Sequence, residues 1–333
     1  MKAAVVTNPG ADPVYGEFDE PVVDEHHAMV ELVAAGIHQV VRSRVEGRHY
    51  STRGIWPAVP GIDAVARTPD GTLVYTGFVD PPWGTMAERM AVPGQFGTPL
   101  PDGADPVAVA AGMNPGMASW IPLARRRDEL ASDRQAGDKA GLGTVLVLGA
   151  TGIAGGLAVD NALALGASAV VAAGRNPDRL AALAERVPTP ALRTVRLEPD
   201  EQRTADALAD ALAGRPPSAV IDFCWGSVAE AAFRALGRDD LDLPDADVRY
   251  VEVGGTAGPD AALPAALLRS RNVTMSGGGL GGTAVTEILA RLPEYLSMIA
   301  DGRVQVPHTA YPLSEVGAAW CADDGTRSVV VPG

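Results

Sequence analysis

Cysteine is scarce in this chain of 333 residues, in which only Cys224 and Cys321 occur. Two cysteines are too few for a disulfide framework, and they are too few for a structural site in which four thiolates bind zinc. A chain with no disulfide framework has no need of an oxidising compartment, so a reducing cytoplasm is the expected location.

Long hydrophobic runs and a positive net charge are also missing. No apolar stretch is long enough to span a bilayer, and the N-terminus lacks the basic, apolar and small-residue pattern of a secretory signal. The 27 Lys and Arg against 41 Asp and Glu give a net charge of −14. That charge argues against binding to nucleic acid or to an anionic membrane, and it leaves a small molecule as the expected partner.

The remaining composition is that of a packed globular protein, because 47% of the residues are hydrophobic and 20% are charged. Aromatic residues make up 5% of the chain, which argues against a large planar stacking platform. The length suits two domains better than one.

The stretch from Val145 to Arg175 combines two short apolar runs with three regularly spaced glycines. Val145–Leu148 and Ala169–Ala173 have the composition of strands that are buried on both faces of a parallel sheet. The segment Ile153–Gly166 between them has apolar residues spaced for a helix that packs on that sheet. Strand, turn, helix and strand within about 30 residues predict a βαβ unit.

The glycine spacing G-x-x-G-x-x-G predicts that this unit binds a dinucleotide. The first glycine would allow the tight turn, the second would let a pyrophosphate approach, and the third would let the helix pack closely on the strand. N–H groups and the positive dipole end at the start of the helix would then face the phosphates. The candidate phosphate-binding residues are Gly149, Ala150, Thr151, Gly152, Ile153, Ala154 and Gly155. The alternative is that these small residues serve helix–strand packing only.

The end of the second strand favours NADPH over NADH. An NAD site usually has Asp or Glu at this position, whereas this chain has Gly174 and Arg175, followed by Asn176 and Arg179. A guanidinium can bind the ribose 2′-phosphate through charge-assisted hydrogen bonds, which a carboxylate would repel. The alternative is that Arg175 is only a solvated residue before the helix that Asn176 and Pro177 begin.

Strand and helix patterns continue to alternate up to residue 283 and predict an α/β fold with a doubly wound, six-stranded parallel sheet of the Rossmann type. The later predicted strands are 192–197, 219–223, 249–253 and 272–276. Ser227–Glu230 has the pattern of a capping box that begins a helix. The residues expected beside the nicotinamide, beyond the carboxyl ends of the strands, are Cys224, Gly254, Gly255 and Gly277.

The first 122 residues predict a different, β-rich and barrel-like domain with Gly/Pro turns. Thr68–Gly71 is a turn signal between the predicted strands 62–67 and 72–78, which together predict a β-hairpin. Two helices, 105–113 and 116–127, are expected to lead out of this domain, and the chain returns to strand-like sequence after residue 304.

These elements in this order resemble the medium-chain dehydrogenase/reductase superfamily. The segments MKAAVV, VELVAAGI, VPGID, GTMAERMAVP and VLVLGATGIAGG fall where that superfamily has counterparts. The loop ATGIAGG is similar to the zinc-independent, quinone-oxidoreductase-like branch. The resemblance implies a GroES-like catalytic domain over residues 1–122, completed by 284–333, and an NADP-binding Rossmann domain over 123–283. It also implies a homodimer, because the strand 272–276 commonly pairs across the interface in this family.

The zinc ligands of the related alcohol dehydrogenases are not matched. His38 stands in the place of the first cysteine, the expected G-H-E reads Gly61-Ile62-Asp63, and the second cysteine falls near Asn114. One imidazole and one distant carboxylate make a poor zinc site, which requires three good protein ligands and an open position. The sequence therefore predicts no catalytic zinc.

Without zinc, a side chain is the candidate proton donor. The stretch from Gly47 to Gly61 resembles the enoyl-thioester reductases of the same branch, in which a tyrosine precedes a P-A-V segment by seven residues. Tyr50 has that spacing, an alignment shifted by one residue selects His49, and His38 is a third candidate. Each of these residues has a non-catalytic alternative, which is a loop rim for Tyr50 and His49 and a buried histidine for His38.

The combined prediction is a zinc-independent, NADPH-dependent reductase that transfers hydride to a quinone, an enone or another activated alkene or carbonyl. The alternatives are an alcohol dehydrogenase or ketone reductase, and a protein that binds NADPH without catalysis.

Overall fold

The computed structural model describes residues 1–94, 97–132, 141–237, 247–279 and 281–333, and the chain divides into two compact units. Unit 1 comprises Met1–Pro115 and Leu289–Gly333, and unit 2 comprises Gly116–Ile288. The sequence places these boundaries at 122/123 and 283/284 instead, and the assignment of a separate function to each domain stays a prediction. The predicted fold class, a parallel α/β sheet together with a β-rich part, is confirmed.

Unit 1 is built mainly from antiparallel strands. Its elements are β1 (Lys2–Val5), β2 (Val14–Glu17), β3 (His27–Gly36), α1 (Gln39–Val45), β4 (Asp63–Arg67), β5 (Leu73–Gly77), β6 (Arg89–Pro93), β7 (Thr98–Pro99), β14 (His308–Pro312), α9 (Val316–Cys321) and β15 (Arg327–Val331). The strands β14, β15, β3, β4, β5 and β7 lie in that order in one sheet, and β6 pairs with β3 off this path. The predicted hairpin is confirmed, because β4 and β5 pair antiparallel around Gly71, whose φ is +91°.

Unit 2 contains the predicted βαβ alternation. Its elements are β8 (Gly143–Leu148), α3 (Ile153–Ala164), β9 (Ala167–Gly174), α4 (Pro177–Arg186), β10 (Leu192–Arg196), α5 (Glu201–Leu212), β11 (Ala219–Asp222), α6 (Gly226–Leu236), β12 (Asp247–Glu252), α7 (Ala265–Ser270) and β13 (Asn272–Gly277). Two further helices, α2 (Pro106–Ser132) and α8 (Val285–Ala300), each contain a boundary between the units.

The order of the parallel strands in unit 2 positions the site. The sheet runs β10-β9-β8-β11-β12-β13, which is the order 3-2-1-4-5-6 when the strands are counted within the unit. The strand order therefore reverses between β8 and β11, and a sheet of this kind binds ligands beyond the carboxyl ends of the strands at that reversal. Val145–Leu148 of β8 is fully buried, as expected for a strand with helices on both faces.

Two local predictions are wrong. The helices predicted over 105–113 and 116–127 are one helix, α2, which continues through Pro115. Proline removes one helical hydrogen bond and clashes with the preceding turn, but Met113, Met117 and Trp120 are buried on either side of it, and that packing keeps the helix continuous. The second error is α9, a short helix within the tail for which only β-like sequence is predicted.

No helix among the described residues is long and apolar enough to cross a membrane.

Candidate functional site

The turn after β8 has the backbone that a glycine-rich phosphate loop requires. Gly149 has φ of +88°, a conformation that residues with a side chain rarely adopt. The N–H groups of Gly149 and Ala150 both donate to the carbonyl of Ala173 at the end of β9, at 2.9 and 2.8 Å. These bonds hold the turn against the second strand of the βαβ unit.

The third glycine is required by packing within the protein. A Cβ at Gly155 would lie 2.7 Å from the carbonyl carbon of Gly149 and 2.8 Å from Cα of Ala150, so no side chain fits there. A Cβ at Gly152, by contrast, would approach no protein atom closer than 3.6 Å, and its φ of −84° suits any residue. The fold therefore requires glycine at 155. At 152 it leaves room in which a group outside the chain could approach, and glycine is also an acceptable N-cap residue there.

The N-terminus of α3 supplies the donors for that group. Gly152 is the N-cap residue and has no side chain that could cap the helix. The N–H groups of the first turn have no intrahelical acceptor, and they carry the positive end of the helix dipole. The N–H groups of Ile153, Ala154 and Gly155 belong to that turn. A diphosphate is the kind of group that such a helix end binds.

The end of β9 presents two exposed guanidinium groups. Gly174 is buried, and a Cβ there would meet the side chain of Thr151, 3.0 Å from its Oγ1. Arg175 and Arg179 are exposed, and neither forms an ion pair within the described residues. Asn176 caps α4 as predicted, because its side-chain oxygen accepts from the N–H groups at 178 and 179.

A buried carboxylate organises the other side of the reversal point. The Oδ1 atom of Asp222, the last residue of β11, accepts from the N–H groups of Cys224 and Trp225 at 2.7 and 3.0 Å. Its Oδ2 accepts from the buried hydroxyl of Tyr250 at 2.6 Å. Burial raises the pKa of Asp222, whereas these three hydrogen bonds lower it. They thus favour the charged carboxylate that fixes the turn into α6.

The turn into α6 is strained, and its geometry shows that the predicted capping box at Ser227–Glu230 is wrong. Trp225 has φ of +54°, a conformation that costs about 1–3 kcal/mol in a residue with a side chain. The helix begins at Gly226 with Trp225 as N-cap, so Ser227 is not the cap of a capping box. Glu230 accepts from the N–H of Ala262 instead. Asp222, four residues before the helix, therefore supplies the side-chain acceptor that the sequence assigned to Ser227.

The other predicted nicotinamide-side residues lie at the carboxyl ends of neighbouring strands. Cys224 is buried, and its burial together with the negative charge of Asp222 raises the pKa of its thiol to about 11. The positive charge of Arg175 opposes that rise, so the guanidinium lies close enough to interact electrostatically with the thiol. Gly254 and Gly255 follow β12, and Gly277 ends β13. A thiol with this pKa is not a nucleophile at neutral pH.

Within unit 1, His38 belongs to a buried polar cluster. Its Nε2 lies 3.4 Å from Oδ1 of Asp63, and Tyr75 donates to Oδ2 of Asp63 at 2.9 Å. His38 is 2% exposed, and its ring nitrogens have no hydrogen-bond partner within the described residues. Burial raises the pKa of Tyr75 well above its ordinary value, and the charge of Asp63 adds to the rise. Tyr75 therefore stays protonated and keeps donating to the carboxylate.

His49 and Tyr50 lie together on the surface of unit 1. Their ring centroids are 4.1 Å apart, and Tyr50 is 71% exposed. The Nδ1 atom of His49 accepts from the N–H of Ser51 at 3.2 Å. Burial, followed by the positive charge of Arg44, lowers the pKa of His49, so its imidazole is neutral at neutral pH. The structure thus places the three proton-donor candidates in one unit, with His38 buried and the other two near solvent.

The described ranges contain no group of three or more His, Cys, Asp or Glu that could hold a metal ion. His38 and Asp63 offer two ligands, whereas a catalytic zinc site uses three from the protein. The expectation that no catalytic zinc is bound stays a prediction.

Asp222 and Tyr250 are the residues of the site that sequence reasoning missed. They are 28 positions apart, so no local pattern joins them. The sequence signal that could have found them is an aspartate that ends a strand of four buried residues, where an unpaired charge would be costly.

Comparison with known proteins gives relatives over the whole chain. A probable NADPH-dependent quinone reductase of Emericella nidulans is 28% identical and is covered completely, as is this chain. A mycobacterial quinone oxidoreductase has the same fold, with a TM-score of 0.76 at 18% identity and full coverage of both chains. The quinone oxidoreductase of Thermus thermophilus, solved also with NADPH, has a TM-score of 0.70 at 24% identity, with 99% of this chain and 100% of that one covered.

No family model matches the chain. The predicted resemblance to the quinone-oxidoreductase-like branch of the medium-chain dehydrogenase/reductase superfamily is confirmed by the likeness to these proteins.

Two glycine substitutions test which glycine of the loop is required by packing. Gly155→Ala should lower the free energy of unfolding by about 1–3 kcal/mol or more, because its Cβ meets the backbone of Gly149. Gly152→Ala should lower the free energy of unfolding by about 1 kcal/mol or less, because alanine fits there and is only a poorer N-cap residue than glycine. Urea denaturation of both variants measures the difference. Equal losses would contradict the conclusion that packing requires glycine at 155 and not at 152.

Proposed function

Starting from this family likeness, we propose that the protein is a zinc-independent, NADPH-dependent oxidoreductase that transfers hydride to a quinone, an enone or another activated alkene or carbonyl. The observation that carries the proposal is the uncapped, glycine-bordered N-terminus of α3 at the strand-order reversal of unit 2. The names of the relatives that match over the whole chain support the same activity.

In this proposal the residues of unit 2 bind and orient the coenzyme. The first-turn amides of α3 and the Gly149 turn would hold the pyrophosphate, and Arg175 with Arg179 would bind the 2′-phosphate. The backbone around Cys224, Gly254, Gly255 and Gly277 would border the nicotinamide. The bound NADPH supplies the hydride.

The need for a protein proton donor depends on the acceptor. Reduction of an enone requires a proton at the α-carbon, whereas a quinone accepts hydride to give a stabilised anion that solvent can protonate. Tyr50, His49 and His38 all remain candidates for the donor. Burial lowers the pKa of His49, so little of its protonated form is present at neutral pH.

The proposal also includes the surroundings of the protein. The free thiols of Cys224 and Cys321 and the net charge of −14 support a reducing cytoplasm and a small-molecule partner rather than nucleic acid or a membrane.

Turnover can be tested together with the proton donor. We expect loss of NADPH absorbance with quinones and enones, measured on the wild type and on Tyr50→Phe, His49→Gln and His38→Gln. Replacing the true donor should lower enone turnover about 100-fold or more and leave quinone turnover nearly unchanged. The quinone rate serves as the folding control for each variant. Tight NADPH binding without turnover on any acceptor would contradict the enzyme and favour a binding protein.

Arg175 should determine the preference for NADPH. Arg175→Gln should raise the KM for NADPH about tenfold or more, because a charge-assisted pair with the 2′-phosphate is lost, while the KM for NADH changes little. Arg203→Gln is the matched control, since Arg203 is also an exposed arginine of unit 2. An equal effect of Arg175→Gln on both coenzymes would show that Arg175 does not read the phosphate.

The proposed homodimer would form along β13. This strand is the edge of the described sheet, and its residues are exposed or half-buried, so a second copy could pair with it. Light scattering should give twice the monomer mass, and Thr274→Lys on this edge should shift the protein to monomer. Thr194→Lys on β10, the opposite edge, is the matched control. A wild type that is monomeric at micromolar concentration would contradict the dimer.

A further inference from the structure

A pocket in unit 1 lies beside α1 and is formed with two loops, one at residues 52–61 and one at 81–83. The empty space of about 530 Å³ within it includes open solvent at its mouth. Its walls are mostly apolar, and Trp56, Trp83 and Ile55 are among the residues that form them. Such walls suit a flat or bulky hydrocarbon body.

Two guanidinium groups without an acceptor among the described residues also line this pocket. Arg44, near the end of α1, and Arg53, on the first loop, form no ion pair and donate no side-chain hydrogen bond within that part of the chain. Burial lowers the pKa of Arg44, and the like charge of Arg53 lowers it further, so the two cations are close enough to repel one another.

Such arginines are unusual in this unit. Other arginines of unit 1 have partners, which are the ring of Trp320 for Arg42, Glu46 for Arg48, the carbonyl of Gly71 for Arg67, Glu20 for Arg89, Asp301 for Arg303 and the carbonyl of Ile37 for Arg327. The chain carries 41 acidic residues, so carboxylates are abundant. The carbonyl end of α1 accounts for one nearby cation through the helix dipole, but it does not account for Arg53 on the loop.

The geometry points to an organic anion as the ligand of this pocket. We propose that Arg44 and Arg53 bind a carboxylate, sulfonate or phosphate group while the indoles of Trp56 and Trp83 pack against an apolar, preferably aromatic, body. An anion here would compensate the half-buried charge of Arg44 and the repulsion between the two guanidiniums. Only the further step, which makes this anion the hydride acceptor, rests on the proposed function.

Calorimetry without coenzyme tests the pocket directly. The probes are 2-naphthalenesulfonate and 2-naphthol, which share a bicyclic body and differ in charge. The wild type should bind the sulfonate about tenfold or more tightly than the naphthol. Arg44→Gln and Arg53→Gln should each remove most of that preference, and Arg44→Lys should retain part of it. Arg48→Gln should change nothing, because Arg48 is exposed and paired with Glu46.

Each other outcome overturns the proposal. Equal affinity for the two probes in the wild type would show that the pocket does not select an anion. A preference that survives both glutamine substitutions would place the anion elsewhere on the chain. Competition between NADPH and the sulfonate would assign the anion to the coenzyme site. Thermal melting of the variants separates these results from unfolding, and Arg44→Lys maintains the charge if Arg44→Gln is unstable.

Steady-state rates then distinguish this inference from the proposed activity. With NADPH, 1,2-naphthoquinone-4-sulfonate should have a KM about tenfold lower than 1,2-naphthoquinone, and Arg44→Gln should abolish the difference. No turnover with either quinone, together with Arg44-dependent sulfonate binding, would contradict the reductase activity and support the anion pocket. Turnover with equal KM values would support the reductase activity and contradict the inference that the bound anion is the hydride acceptor.

Discussion

The close approach of α3 to the turn after β8 determines the geometry of the candidate phosphate-binding loop. It is possible only because residue 155 has no side chain, since any Cβ would enter the backbone of Gly149. The start of α3, with its first-turn amides, therefore follows the carboxyl end of the central strand β8 directly. At Gly152, by contrast, a side chain would have room, so packing does not require glycine there.

The opposite side of the strand-order reversal is held by different physics. There a buried carboxylate, Asp222, ties down two backbone amides and accepts from Tyr250. One of these bonds comes from Trp225, whose φ is positive, and the hydrogen bond from Tyr250 opposes the rise in the pKa of Asp222 that burial causes. On one side of the strand-order reversal the backbone geometry therefore depends on glycines, and on the other side it depends on a buried polar network.

The sequence predicted what depends on local pattern and left out what depends on distant contacts. The glycine turn, the Asn176 cap and the Thr68–Gly71 hairpin each lie within a few residues, and the structure contains all three. The break predicted near Pro115 is wrong because burial on both sides outweighs the cost of proline. The pairs of Asp63 with Tyr75 and of Asp222 with Tyr250 join separate strands, which periodicity alone cannot bring together.

In the proposed function, the amides at the start of α3 bind the phosphates of NADPH. The most direct measurement is the change in backbone amide chemical shifts of the isotopically labelled protein when NADPH is added. If these amides bind the phosphates, the largest changes occur at Thr151–Ala154 and are strongly reduced in Gly152→Ala. Changes confined to other parts of the chain, or no saturable change at these four amides, would contradict phosphate binding at the start of α3.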